Sequence, residues 1–345
     1  MDIDLPISKS IANRLLILQA LSGDGLLSVS AANTPDDVRL LHSVLCDMPT
    51  LSKGQEVCLC LYNCGTAMRF LTAYCAQMEG CDVVLTGTER MKQRPVGQLV
   101  TALRELGADI EYMGEEGFPP LHIRGKVLPR HGVDIENPLS TQFVSALLLI
   151  GVPATTNVSS PYIYMTQRVC EQYAHSHSCE IESDWSAAAF WYEYIALHGG
   201  TLSLRGLQRD SLQGDHAVAD LFVRFGVITS YQADGIVISR TAETISLPPE
   251  ISVDFSHFPD LYPAVAITCE RLGVRLVATG TKSLTIKESD RMKAVAEHRV
   301  CADHRIAMAL LAADMPCDDR ACISKSYPDF YSQLCRLKES YHGEE

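Results

Sequence analysis

Apolar runs alternate with short polar clusters along most of this chain, and the runs are of two kinds. One reads as buried helix: L-L-I-L-Q-A-L after S-K-S (8–10) and F-V-S-A-L-L-L-I after S-T-Q (140–142) are hydrophobic nearly all round, as helices without a solvent face are. Four more polar clusters precede such runs, at N-C-G-T (63–66), D-W-S (184–186), F-P-D (258–260) and D-H-R (303–305). The other kind is a repeating unit of strand, glycine turn, amphipathic helix, glycine stop and strand. L-T-G-T-E-R (85–90) aligns with L-R-G-L-Q-R (204–209), and the register then carries Gly87, Arg90, Gly107 and Tyr112 onto Gly206, Arg209, Gly226 and Tyr231 without a gap. The helices of these copies fall at 96–106 and 217–225. A partial third copy starts at V-A-T-G-T-K-S-L (277–284), enters a helix at 291–296 and stops before any glycine and strand.

Length and composition fit two well-packed domains: 345 residues, 47% of them hydrophobic. Uninterrupted apolar runs stay below the length of a membrane span, and the acidic start M-D-I-D-L-P lacks the charge of a signal peptide, so the expected location is cytoplasmic. Thirteen cysteines, scattered singly, do not make a disulfide framework, and most of them read as small buried apolar residues. Cys58, Cys60 and Cys64 have no second pair, and H-S-H-S-C at 175–179 no further ligands, so no metal is expected. G-T-K-S at 280–283 lacks the spacing of a phosphate-cradling P-loop, and G-x-G-x-x-G is absent.

Charge then sharpens the picture. The chain carries 29 Lys+Arg against 42 Asp+Glu, a formal charge of −13, which argues against nucleic acid as a partner. Yet its cations gather in short clusters at 6–14, 89–95, 287–291, 303–305 and 325–329, several of them at the helix starts. Ser and Asp there are ordinary N-caps, worth about 1 kcal/mol each. Lys and Arg there are not, because a cation opposes the positive end of the helix dipole. Several helix N-termini converging with cations make a site for phosphate and carboxylate groups. The architecture this implies is two domains of repeated βαβ units, with buried helices pointing into a shared cleft. The boundaries expected are 8–183 for one domain, and 1–7 with 184–345 for the other.

S-K-S-x-x-N-R, N-C-G-T-A-M-R, R-M-K-Q-R-P, S-T-Q-F, S-P-Y-I, F-P-D, K-E-S-D-R, D-H-R-I-A-M and S-K-S-Y-P-D-F span Pro6 to Phe330. In this order they resemble the enolpyruvyl transferase family, most closely its shikimate branch. The resemblance implies an inside-out α/β two-domain barrel fold, usually monomeric, without metal or organic cofactor. It implies transfer of the enolpyruvyl group of phosphoenolpyruvate to the 5-hydroxyl of shikimate 3-phosphate. The residues that would hold phosphoenolpyruvate are Lys9, Gly65, Arg94, Gln142, Arg291, Arg305 and Lys325. Those that would hold the sugar phosphate are Lys9, Ser10, Arg14, Ser140, Thr141, Gln142, Ser159, Tyr162, Asp260 and Lys287. Asp260 would take the proton of the attacking hydroxyl, and Glu288, with Lys9 and Lys325 as alternatives or partners, would protonate the methylene carbon. The family's donor pocket also accepts glyphosate, and Gly65, Thr66 and Arg94 match its sensitive pattern.

The chain departs from the family in Ile7, Cys64, Phe70 and Ser283, and in length. Between Tyr173 and Asp184, and between Glu297 and Ala302, it lacks roughly twenty to thirty residues each, the strand–strand half of a repeat unit. Two other readings stay open. One is a UDP-N-acetylglucosamine enolpyruvyl transferase, although S-K-S, S-T-Q and S-P-Y match the shikimate branch better. The other is a non-catalytic, anion-binding remnant of the fold.

Overall fold

The computed structural model describes residues 1–29, 32–51, 56–240 and 246–342. Along the chain run β1 (Asp2–Ile3), α1 (Lys9–Ser22), α2 (Asp36–Leu51), β2 (Val57–Cys60), α3 (Gly65–Gln77), β3 (Asp82–Thr86), α4 (Gly97–Glu105), β4 (Asp109–Tyr112), β5 (Leu121–Arg124), β6 (Val133–Asp134), α5 (Gln142–Leu149), β7 (Ala154–Thr155) and α6 (Pro161–Ser176). Then follow α7 (Trp185–His198), β8 (Gly200–Arg205), α8 (Val218–Phe222), β9 (Ile228–Gln232), β10 (Gly235–Arg240), β11 (Glu250–Asp254), α9 (Tyr262–Leu272), β12 (Arg275–Thr279), α10 (Arg291–Ala296), α11 (His304–Ala312) and α12 (Phe330–His342). Contacts divide the chain into two units: Met1–Lys9, Ser30–Asp36 and Ile181–Glu345 form the first, Ser10–Val29 and Asp37–Glu180 the second. The division falls inside S-K-S, between Lys9 and Ser10, and gives Ser8, Lys9, 30–36 and 181–183 to the first unit, where the sequence reading had them in the other.

Among the described residues each unit shows one complete repeat and one shortened repeat, beside further helices. In the second unit the complete one is β2-α3-β3-α4-β4-β5, with strand order β2-β3-β5-β4, β2 parallel to β3 and β5 antiparallel to both its neighbours. In the first unit β1, β8, β10 and β9 take the same places with the same directions. The glycine stops of the two copies, Gly107 and Gly226, have φ of 88° and 81°, the left-handed conformation that glycine adopts without a Cβ penalty. The helix expected at 217–225 is broken, however: α8 has five residues, flanked by single 3₁₀ turns.

The shortened repeats stop where the sequence said they would. Among the described residues β6-α5-β7-α6 and β11-α9-β12-α10 each carry a sheet of two parallel strands, with no antiparallel pair after the second helix. The chain instead turns through left-handed residues that are not glycine: His177 (φ 49°) after α6, and His298, Cys301 and Ala302 (φ 50°, 51° and 57°) after α10. The outer edge of β12 is left with Leu276, Val277 and Ala278 half-buried.

Most of the runs predicted to be apolar all round are buried, but α1 is buried only as far as Ile17, and Leu21 near its end is exposed. α3 is covered from Ala67 through Ala76, and α7 from Trp185 through Ala196. In the first unit Phe190 and Trp191 of α7 pack against Tyr327 and Phe330, and the Trp191 indole N–H donates to Tyr327 Oη at 3.2 Å. Aromatic burial of this kind anchors helices firmly, so the helix starts are held as fixed platforms for polar groups.

Candidate active site

In the second unit the starts of α3 and α5 meet. Neither is capped by its own side chain, since Cys64 and Thr141 make no cap hydrogen bond, and Ser140 Oγ only approaches Gln142 N at 3.4 Å. Gln142 ties the two together: its amide donates to Thr66 Oγ1 at 2.9 Å and accepts from Arg69 at 3.2 Å. Arg69 also donates to the carbonyls of Gly65 (3.1 Å) and Pro95 (3.4 Å) and lies over the Phe143 ring. Arg94 is buried and donates to Asn63 O at 3.2 Å, beside Gly65. The structure therefore assembles Gly65, Arg94 and Gln142, and adds Arg69, which the sequence reading passed over. The hint was there, in the arginine that ends N-C-G-T-A-M-R. Lys92 is held apart, half-exposed in an ion pair with Glu89 at 2.8 Å.

Arg14 is more than a surface side chain. It is 2% exposed, and its guanidinium donates to Thr166 Oγ1 (2.8 Å), Ser10 O (2.7 Å), Tyr162 O (3.2 Å) and Ser145 Oγ (3.4 Å) while facing the ring of Phe70. Burial lowers its pKa to about 10, which still leaves it cationic at neutral pH. Ser10, Arg14 and Tyr162 are thus neighbours. Ser160 caps α6 by accepting from Tyr162 N, and Ser159 beside it is exposed. Ser140 and Thr141 stay half-buried at the start of α5.

In the first unit the starts of α7, α9, α10 and α11 bring a second set together. Asp184 caps α7, and also accepts from the backbone N–H of Lys9 at 3.1 Å. Asp303 caps α11 by accepting from Arg305 N, so these two acids are the N-caps the sequence suggested. Arg291, 1% exposed, reaches three carboxylates: Asp260 Oδ1 at 2.6 Å, Asp303 Oδ2 at 2.8 Å and Glu288 Oε2 at 3.2 Å. Arg305 donates to Asp260 Oδ2 at 2.8 Å, Lys287 lies 3.4 Å from Asp260 Oδ1, and Lys325 donates to Glu288 Oε1 at 3.1 Å. Arg291, Arg305, Lys287 and Lys325, expected to await an anion, are therefore already paired with buried or half-buried acids, which removes much of the cost of burying them.

These pairings set the protonation states. Burial pushes Asp260 up, but Arg305, Lys287 and Arg291 outweigh it and hold the carboxyl well below its usual range. Burial pulls Lys287 down despite Asp260. His304, between Arg305 and the capping Asp303, is kept neutral by burial and by the charges of Lys9, Arg305 and Lys325, and neither ring nitrogen has a hydrogen-bond partner among the described residues. Sequence reasoning missed His304 and Asp303 as site members, because their motif neighbour Arg305 carried the obvious charge.

On the solvent side of the β2-β3-β5-β4 sheet, Glu56, Asp82 and His122 come close enough to suggest a metal site. The hydrogen bonds argue otherwise. Arg124 can only donate, and it sits 3.2 Å from His122 Nδ1, so in the neutral ring Nε2 bears the proton and gives it to Asp82 at 2.6 Å. Among the described residues no helix is long and apolar enough to cross a membrane.

Repeated βαβ units with cation- and carboxylate-lined helix starts make an α/β protein suited to binding small anionic molecules. The sequence model of the family described as EPSP synthase (3-phosphoshikimate 1-carboxyvinyltransferase) matches residues 2–174 and 169–299. The chain belongs to the EPSP synthase family. It is 37% identical to the 3-phosphoshikimate 1-carboxyvinyltransferase of Bacteroides fragilis (strain YCH46), with 96% of this chain and 94% of that one covered. Against the enzyme of that name from Vibrio atlanticus it is 31% identical, with 97% and 96% covered. An alignment of 398 positions for the first, against a chain of 345 residues, requires internal gaps in this chain. A solved EPSP synthase from Acinetobacter baumannii superposes with a TM-score of 0.67 at 20% identity, covering 98% of this chain and 95% of that one, which shows the same two-domain α/β fold.

Proposed function

We propose that this protein transfers the enolpyruvyl group of phosphoenolpyruvate to the 5-hydroxyl of shikimate 3-phosphate and releases phosphate. It does so in the cytoplasm, as a monomer acting on two small molecules, with no metal or organic cofactor. The observation that carries the reading is the cluster of buried Glu288, Arg291 and Arg305 with half-buried Asp260 and Lys325, in a chain of this family.

Arg291, Arg305 and Lys325, with Lys9, hold the carboxylate and phosphate of the donor; Gly65, Arg94 and Gln142 serve the same ligand. Guanidinium groups suit this task because they offer two parallel donors to a planar or tetrahedral anion. Lys9, Ser10, Arg14, Ser140, Thr141, Gln142, Ser159, Tyr162, Asp260 and Lys287 hold the acceptor. Before the donor arrives, the cations neutralise Asp260 and Glu288. When its anionic groups draw them off, Asp260 loses stabilisation of its charged form and becomes a stronger base toward the 5-hydroxyl. Lys325, which donates to Glu288 at 3.1 Å, passes a proton through that carboxylate to the methylene carbon as the hydroxyl oxygen bonds to the adjacent carbon, giving a tetrahedral ketal. Loss of phosphate and return of the methyl proton complete the transfer.

Phosphate release from phosphoenolpyruvate in the presence of shikimate 3-phosphate tests the reading. Release with UDP-N-acetylglucosamine instead would assign the other acceptor. No release with either, from folded protein, would leave the anion-binding remnant that the two missing hairpins suggest.

A further inference from the structure

Asp215 belongs to none of the roles above, yet it sits against them. It lies in the single 3₁₀ turn 214–217 and is 2% exposed. Its Oδ2 accepts from Ser186 Oγ in the first turn of α7, while its Oδ1 has no hydrogen-bond partner among the described residues. The charged groups that face it are Asp260, Arg305 and Asp184, from the approach to α9, from α11 and from the cap of α7. Arg305 in turn feels Asp260, Asp215 and Asp184 together. Arg305 is held directly by Asp260 at 2.8 Å, and it also lies within the field of Asp215, which keeps an oxygen unsatisfied. A buried carboxylate does not leave an oxygen unpaired without cost, so that oxygen either carries a proton or pulls on the nearest donor.

We propose that Asp215 is a positioning residue for Arg305: protonated, it leaves Arg305 available to the donor's anion, and ionised, it holds Arg305 back and adds a negative charge beside the site. The proposal rests on the reading that Arg305 binds the donor. Burial first, and then Asp260, raise the Asp215 carboxyl to about 7, so both forms are populated near neutral pH. An exposed aspartate, titrating near 4, would be ionised throughout and could exert no such control.

The test measures the Michaelis constant for phosphoenolpyruvate, and separately the dissociation constant of inorganic phosphate, from pH 5.5 to 9 in the wild type, Asp215→Asn and Ser186→Ala. For the wild type, both constants should worsen by about tenfold as pH rises through the ionisation of Asp215, a like charge beside a bound anion being worth about one pKa unit. Asp215→Asn should keep the low-pH affinity throughout, with kcat following the wild type more closely than the Michaelis constant does. The ligand's own ionisation is common to all three proteins and drops out of the ratio. Should Asp215→Asn fail to fold, Ser186→Ala decides: it removes a hydrogen bond that favours the ionised form, so the inflection moves to higher pH. Retention of the wild-type inflection by Asp215→Asn, or an unmoved one in Ser186→Ala, would overturn the proposal. Phosphate binding needs no turnover, so an inactive wild type whose phosphate affinity still follows this pattern would sink the proposed reaction and leave the role of Asp215 standing.

Discussion

Replacing Gly65 by alanine puts a methyl group where two guanidinium groups already are. A Cβ built on Gly65 lies 2.5 Å from Arg69 NH1 and 2.6 Å from Arg94 Cζ, with Arg94 NH2 nearer still. Comfortable contact begins at about 3.5 Å, so something must retreat by roughly 1 Å. Both neighbours are the far ends of flexible side chains, which spares the fold. Arg69 is held by the carbonyls of Gly65 and Pro95 and by Gln142, so we expect Arg94 to yield. Overpacking of this kind costs about 1–3 kcal/mol, which corresponds to roughly 5- to 150-fold in an equilibrium constant. If Arg94 grips the donor, the Michaelis constant for phosphoenolpyruvate should rise by about tenfold, the middle of that range. Glyphosate, a longer molecule competing for the same pocket, should lose more, because it has less room to shift away from the methyl. The assay is steady-state phosphate release at saturating shikimate 3-phosphate, with phosphoenolpyruvate varied at several glyphosate concentrations. A Michaelis constant unchanged within error would show that Arg94 does not hold the donor. Equal losses for donor and inhibitor, or a wild type indifferent to millimolar glyphosate, would refute the placing of the inhibitor beside Gly65.

Lys9→Ala and Arg94→Ala should each cost at least a hundredfold in kcat/KM, since charges opposing an anion in a water-poor site are worth several kcal/mol. Lys92→Ala, whose ion pair with Glu89 is solvated, should stay within a few-fold of wild type; similar losses from all three would mean the lysine and arginine run at 89–95 is merely a charged surface. Asp303→Ala leaves Arg291 buried without its 2.8 Å partner and uncaps α11, so chemical denaturation should report a loss of about 3–5 kcal/mol, and a loss below about 1 kcal/mol would show that Asp260 and Glu288 suffice. Glu193, fully buried in α7 with neither oxygen partnered among the described residues, is driven well above its usual pKa by burial. A folded-state pKa above the unfolded one makes its contribution to stability complete below the unfolded pKa and lost as pH rises toward the folded one, at up to about 1.4 kcal/mol per pH unit. Glu193→Gln should therefore melt with the wild type near pH 4 and above it at pH 8, and a melting difference that does not change with pH would show that Glu193 is ionised in the fold.

Much of this protein was decided by residues close together in the chain. The register from Leu85 to Tyr112 and from Leu204 to Tyr231 named two copies of one unit, and Gly107 and Gly226 took the left-handed stops it required, because a glycine stop and an amphipathic helix are local properties. The helix at Arg291–Ala296, and the break after it, followed from the same reading. So did the helix starts, since a polar cluster before an all-apolar run leaves few alternatives to a buried helix. The break of the 217–225 helix into 3₁₀ turns around α8 had no such signal in the repeat alignment, whose register it leaves intact.

Charge placement was legible only in outline. The sequence located the cations at helix N-termini and inferred an anion site. Which acids neutralise them depended on pairs such as Asp260 with Arg291 and Arg305, 31 and 45 residues apart, that no local pattern can bring into register. The same holds for Arg69 against Gln142 and for Arg14 against Ser145 and Thr166, contacts made by packing one buried helix on another. The half-satisfied carboxyl group of Asp215 and the buried one of Glu193 were invisible for a further reason. An acidic residue beside a glycine or within a helix reads as solvated until the fold shows that no solvent reaches it, and burial, a property of the whole unit, is what turns an ordinary carboxylate into one that titrates near neutrality or above.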